Sequence, residues 1–120
     1  MKAFIISAIL FALLISAVIG NAFYVKKVSE HVISETEILK EQDYSLEIIS
    51  DLEKYWKRHR SFVGLSVGHQ ELDHISQSII SLRESCGSGN VSDASLYLSI
   101  LQDAVEEMGR HEEMSFDNLF

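Results

Sequence analysis

The chain has no proline, one cysteine, one tryptophan and six glycines in 120 residues. With the main helix breakers this scarce, long uninterrupted helices are expected. The single cysteine, Cys86, excludes an intramolecular disulfide and a thiolate metal cluster. The fold must therefore be held by its own core. Positive charge is also in short supply, with ten Lys and Arg against 18 Asp and Glu and a formal net charge of −8. That balance repels phosphate backbones, and no basic stripe offsets it, so nucleic acid is excluded as a partner. The skew is strongest from Glu84 onward, where eight carboxylates meet one base, Arg110. An acidic face of this kind reads first as a solvating surface.

Catalytic patterns are missing too. There is no G-x-S-x-G, no glycine-rich phosphate loop after a strand, and no Cys/His dyad. The pairs Glu106-Glu107 and Glu112-Glu113 are adjacent, hence splayed apart on a helix. No catalytic residue, cofactor or enzymatic activity is expected.

What the chain does have is an apolar start. After Lys2, the 17 residues Ala3 to Ile19 carry no charge, and the next charges are Lys26 and Lys27. A helix needs about 20 mostly apolar residues to cross the hydrocarbon layer, so residues 1–25 are expected to form a transmembrane anchor with a short basic amino terminus. A signal peptide would share the basic start, and Gly20 and Ala22 would suit a cut after Ala22. The run is longer than a signal core, however, and Phe23, Tyr24, Lys26 and Lys27 look like interfacial anchors. The segment is therefore read as uncleaved. Lysines on both flanks leave orientation nearly balanced by charge. The short amino-terminal tail resembles an export signal, which places the domain outside the cytoplasm. Along the span, Ala8, Ala12, Ser16 and Gly20 recur every four residues. This small-residue ridge lets helices approach closely in lipid, although common span residues produce the same spacing by chance. Partners in view are the bilayer, another membrane or envelope protein, and a second copy of the chain.

Residues 26–120 read as one small helical domain. Val25, Val28, Val32 and Leu39 continue a helical period, so a stalk helix over about 26–41 should extend the anchor without a break. Asp43 reads as the N-cap of a second helix over about 43–60, whose stripe is Leu46, Ile49, Leu52 and Trp56. Lys54, Lys57, Arg58 and Arg60 gather at its carboxyl end. They fit either dipole and salt-bridge complementarity with the acidic last helix, the preferred reading, or contact with anionic lipid. Gly64 and Gly68 permit a bend. In a third helix over about 69–86, Leu72, Ile75, Ile79, Leu82 and Cys86 alternate steps of three and four, a seam for a partner helix. There Cys86 should act as a small buried hydrophobe. After the turn Gly87-Ser88-Gly89-Asn90, a last helix over about 91–109 carries Ala94, Tyr97, Leu98, Leu101, Val105 and Met108. It is expected to end near Gly109, leaving an apolar tail over 114–120 (Met114, Phe116, Leu119, Phe120) to dock back. The fold class is thus all-α, an amino-terminal transmembrane helix continuing into a small antiparallel bundle. Its core should include Leu52, Trp56, Leu72, Ile75, Ile79, Leu82, Leu101 and Val105.

The only segment that invites a metal reading is His69-Gln70-Glu71-Leu72-Asp73-His74, with His69, Asp73 and His74 as weak candidate ligands. The two histidines are five apart and lack the H-E-x-x-H spacing, so helix-start polarity explains the same letters more simply.

Several markers in order resemble an uncharacterised bacterial family, domain of unknown function 4363. They are Leu52-Glu53-Lys54-Tyr55-Trp56 before the bend, His69-Gln70-Glu71-Leu72-Asp73-His74-Ile75 after it, Ser81-Leu82-Arg83, and the closing Phe116-Asp117-Asn118-Leu119-Phe120. The resemblance runs over the full chain and departs at the turn Gly87-Ser88-Gly89-Asn90 and in its high serine content. It implies a single-pass membrane protein and supplies no activity or site residues. The expected function is a non-enzymatic scaffold or accessory subunit that binds an envelope protein through helical faces. The alternative is a sensory bundle that binds a ligand or metal.

Overall fold

The computed structural model describes residues 1–119, with side chains through Glu112. It contains four helices and, among the described residues, no strand: α1 (Lys2–Glu41), α2 (Leu46–Val63), α3 (His69–Gly87) and α4 (Val91–Leu119). α1 packs on α2 and α4, and α3 packs on the same two helices, while among the described residues the backbones of the diagonal pairs do not approach closely. Cross-helix partners run in opposite order, as with Gln102 against Thr36 and Gly109 beside Ser29, so the neighbours are antiparallel. The architecture is an up-down-up-down four-helix bundle.

α1 does two jobs. Its amino-terminal half is long and apolar enough to cross a membrane, with a mean hydropathy of 2.7 over a window that no other described part of the chain covers. Its other half buries Val25, Val28, Val32, Thr36 and Leu39 in the bundle. Thr36 occupies a core position because its hydroxyl is satisfied twice. It donates to the Ile33 carbonyl at 2.6 Å and accepts from Gln102 Nε2 at 3.0 Å. The segment expected to be a stalk is therefore a bundle helix, and the bundle begins where the apolar run ends.

The core is one continuous cluster of side chains from all four helices. Leu52, Trp56, Leu72, Ile75, Ile79, Leu82, Leu101 and Val105 all lie in it, at 3% exposure or less. Cys86 is only half-buried at its margin, because α3 is nearing its end there. Burial pushes its thiol pKa up, which favours the protonated form at neutral pH.

Three local expectations change. Asp43 does not cap α2. With Tyr44 it takes the left-handed conformation, at φ 55° and 58°, and the N-cap is Ser45. Asp tolerates that region, and Tyr44 is held in it by packing its ring against the core. The second helix also runs to Val63, where Gly64 follows as its C-cap, rather than stopping near residue 60. The last helix does not end at Gly109 but continues to Leu119. Gly109 is there for close approach, since a Cβ would lie 3.2 Å from Ser29 Oγ on α1. The apolar tail 114–120 lies outside the residues whose side chains are described. The α3–α4 turn fits its residues: Gly89 is left-handed at φ 73°, and Asn90 Oδ1 accepts from the Asp93 amide at 3.1 Å to cap α4.

Candidate functional site

The polar and aromatic groups with unusual surroundings gather toward the end of the bundle nearest the apolar half of α1. The α2–α3 corner is fastened there. Asn21 Nδ2 donates to the Phe62 carbonyl at 3.1 Å, and Asn21 Oδ1 accepts a hydrogen bond from Ser66. From this clasp a ladder of rings climbs the α1–α2 seam. Phe62 meets Tyr24 edge-on at 6.0 Å, and the Tyr24 hydroxyl is hydrogen-bonded to His59 Nδ1. His59 then packs on Tyr55 at 4.3 Å, and Tyr55 stacks on His31 at 3.8 Å. Sequence reading missed this ladder. Its trace is a pair of spacings, Tyr24 to His31 at seven residues on α1 and Tyr55 to His59 at four on α2, which become one feature only when the helices align.

The ladder makes the fold sensitive to acid. Partial burial holds the His59 pKa below the ordinary imidazole range, and Arg58 and His31 push it the same way. Tyr55 and Arg58 from α2, with Tyr24 and His31 from α1, are the groups that face it. Burial, then Tyr24, raises the Tyr55 pKa, so that ring stays neutral. Between about pH 6.5 and the lowered His59 value, the unfolded chain binds more protons than the folded one. Stability from this group is therefore complete above about pH 6.5 and falls as pH drops through that window. Chemical denaturation at several pH values should show this slope, and His59→Gln should flatten it.

A second constellation lies on the opposite side, in an open groove of about 660 Å³ between α3 and α4. Glu71, His74, Asp103, Glu107 and His111 supply its polar lining. His111 Nδ1 lies 3.3 Å from Glu71 Oε1, and Nε2 lies 3.5 Å from Glu107. Glu71 Oε1 is buried and makes no hydrogen bond of good geometry.

The weak metal candidates are not brought together. His74 lines the groove, whereas Asp73 turns to α2 and binds Arg60 at 2.8 Å, and His69 is exposed at the first turn of α3. His74 lies five positions from His69 and next to Asp73, spacings of about 140° and 100° around a helix, so the bundle sends it to a different neighbour. Among the described residues, no three His, Cys, Asp or Glu side chains converge as metal ligands would.

Among the described residues, the basic cluster does not pair with the acidic last helix. Arg60 binds Asp73 of α3, and Lys57 approaches Glu53 of its own helix at 3.5 Å. Glu53 is largely buried, and both its oxygens receive Arg83 Nη1 at 2.7 Å. On α1, the ridge residues Ala8, Ala12, Ser16 and Gly20 are exposed, and Ser16 Oγ donates to the Ala12 carbonyl at 2.8 Å. The ridge thus meets nothing in its own chain among the described residues.

No curated protein and no solved structure matches the chain. Among protein families, residues 23–119 match the one described as Domain of unknown function (DUF4363). The match spans the bundle and leaves residues 1–22 outside it, narrower than the full-chain resemblance expected from the markers. By that match, which takes in the whole α1–α2 ladder and the α3–α4 groove, the chain belongs to the DUF4363 family.

Proposed function

We propose that the chain is a single-pass membrane protein whose bundle is a non-enzymatic scaffold, binding another envelope protein through exposed helical faces on the outer side of the membrane. One observation carries this reading: α1 is a single 40-residue helix whose apolar half is bare while its other half is core. Those bare apolar residues require a partner, and lipid alone or lipid with a second helix supplies it. A continuous helix also links any span contact mechanically to the bundle. An uncleaved span is supported by the clasp, since a cut after Ala22 would remove Asn21 and leave the Phe62 carbonyl and Ser66 hydroxyl without it.

The test uses a carboxyl-terminally tagged chain in intact spheroplasts and isolated membranes. External protease should digest the bundle without lysis, and the chain should keep the mass of its uncleaved form. Cross-linking in the membrane should yield one defined adduct that Ala12→Ile or Ser16→Ile abolishes. An unchanged adduct in both variants removes the ridge from the account, and protection until lysis reverses the orientation.

The alternative, a ligand-binding bundle, is favoured by the α3–α4 groove with its poorly satisfied Glu71 oxygen. It predicts a thermal shift with a small cationic ligand or a metal that His74→Ala or His111→Ala abolishes.

A further inference from the structure

The α2–α3 corner is an unusual place for exposed apolar residues. Phe62 and Leu65 are 61% and 75% exposed, and Phe23 beside them on α1 is 65% exposed. Their height is fixed by the clasp, which holds the corner level with Asn21. Starting from Ala3, a 30 Å hydrocarbon layer takes up about 20 residues of helix at 1.5 Å each, ending near Ala22. If α1 spans, as the proposed function holds, the corner lies at the membrane boundary. We infer that the base of the bundle on its α1–α2 side is a bilayer-docking surface: Phe62 and Leu65 enter the interface, and Lys27 and Arg58 bind the phosphates of anionic lipids.

Charge supports that occupant. Antiparallel register sets Arg58 level with Val25, one turn or less from Lys27, as the Tyr24–His59 contact requires. Both are exposed, and neither has a carboxylate partner among the described residues. Several acidic groups of this end are engaged or elsewhere. Asp73 binds Arg60, and Glu71 and Glu107 meet His111 on the far side. Glu30 and Glu106 share a separate groove with Lys26 and Arg110 between α1 and α4. Basic groups beside a span are drawn to anionic head groups, and aromatic rings favour the same layer. The surface is thus amphipathic in the order a bilayer presents: apolar corner first, cations one turn out.

The test uses the full chain with Cys86→Ser, reconstituted in vesicles. A thiol-reactive fluorophore is placed singly at Leu65→Cys, at Leu10→Cys in the span, or at Asn90→Cys about 30 Å away by helix rise. Lipids brominated near the head group are the quencher, in phosphatidylcholine alone or mixed with phosphatidylglycerol. Quenching is expected at position 65 and not at 90, and it should deepen with phosphatidylglycerol. The pair Lys27→Glu with Arg58→Glu should abolish that deepening, with Trp56 emission reporting that the bundle is still folded. Quenching at position 10 without quenching at 65 overturns the docking surface and leaves the span intact. Absence of quenching at both removes the span, and the docking surface with it. Quenching at 65 that ignores phosphatidylglycerol and the charge reversal overturns the recognition of anionic lipid.

Discussion

Trp56→Ala should destabilise the bundle by about 3–5 kcal/mol, the range for truncating a large aromatic in a packed core. Trp56 is the largest fully buried side chain, on α2 facing α3, and its indole N–H donates to Ser76 Oγ at 2.8 Å. Removing it opens a cavity at the α2–α3 contact and leaves a half-buried hydroxyl without its donor. Small domains have about 5–15 kcal/mol in total, so the loss takes a large fraction of what a bundle this size holds. Trp56→Phe separates the two effects. It keeps most of the volume and forfeits the hydrogen bond, for about 1 kcal/mol plus a smaller packing loss. Urea unfolding followed by circular dichroism, on detergent-solubilised protein, measures both. Equal midpoints for the two variants would refute the packing account.

Val28→Pro should be the second large effect. Val28 is buried on the bundle face of α1, well inside a helix that runs without interruption from Lys2 to Glu41. Proline removes the amide that bonds back to the Tyr24 carbonyl and sets its ring against that turn, costing about 3 kcal/mol or more. The kink would fall between the clasp at Asn21 and the core positions Val32 and Leu39. The apolar half and the bundle half would then no longer share one axis. Val28→Ala is the control, since it trims the same core site and keeps the helix. The proline variant should melt far below the alanine variant, while alkaline extraction should leave both in the membrane. Matching melting curves would mean that α1 is not mechanically continuous there.

Much of this molecule is legible along the chain because helical periodicity is a local property. Leu72, Ile75, Ile79 and Leu82 share a face of any α-helix whatever it packs against, and all four are core here. The absence of proline likewise permits α1 to pass from its apolar to its amphipathic half without a stop. Local signals failed where a residue answered to a distant neighbour. Gly109 has the letter of a helix end but serves as a contact, because Ser29 lies 80 positions earlier and directly opposite. Asp43 has the letter of an N-cap but is used for its tolerance of positive φ, because the α1–α2 turn must bring Tyr44 back onto the core. His69, Asp73 and His74 are close in sequence and go to different neighbours.

The helical class, the apolar half of α1 and the inward stripe of each helix can all be read along the chain. Those follow from composition and from an angle of about 100° per residue, which need no partner to be defined. Tertiary structure alone decided that the stalk is a core helix, that Tyr24, His31, Tyr55 and His59 form one ladder, and that the α2–α3 corner sits at Asn21. Each depends on the register between antiparallel helices. That register is set by how whole faces interlock across the core, so no window along one helix contains it.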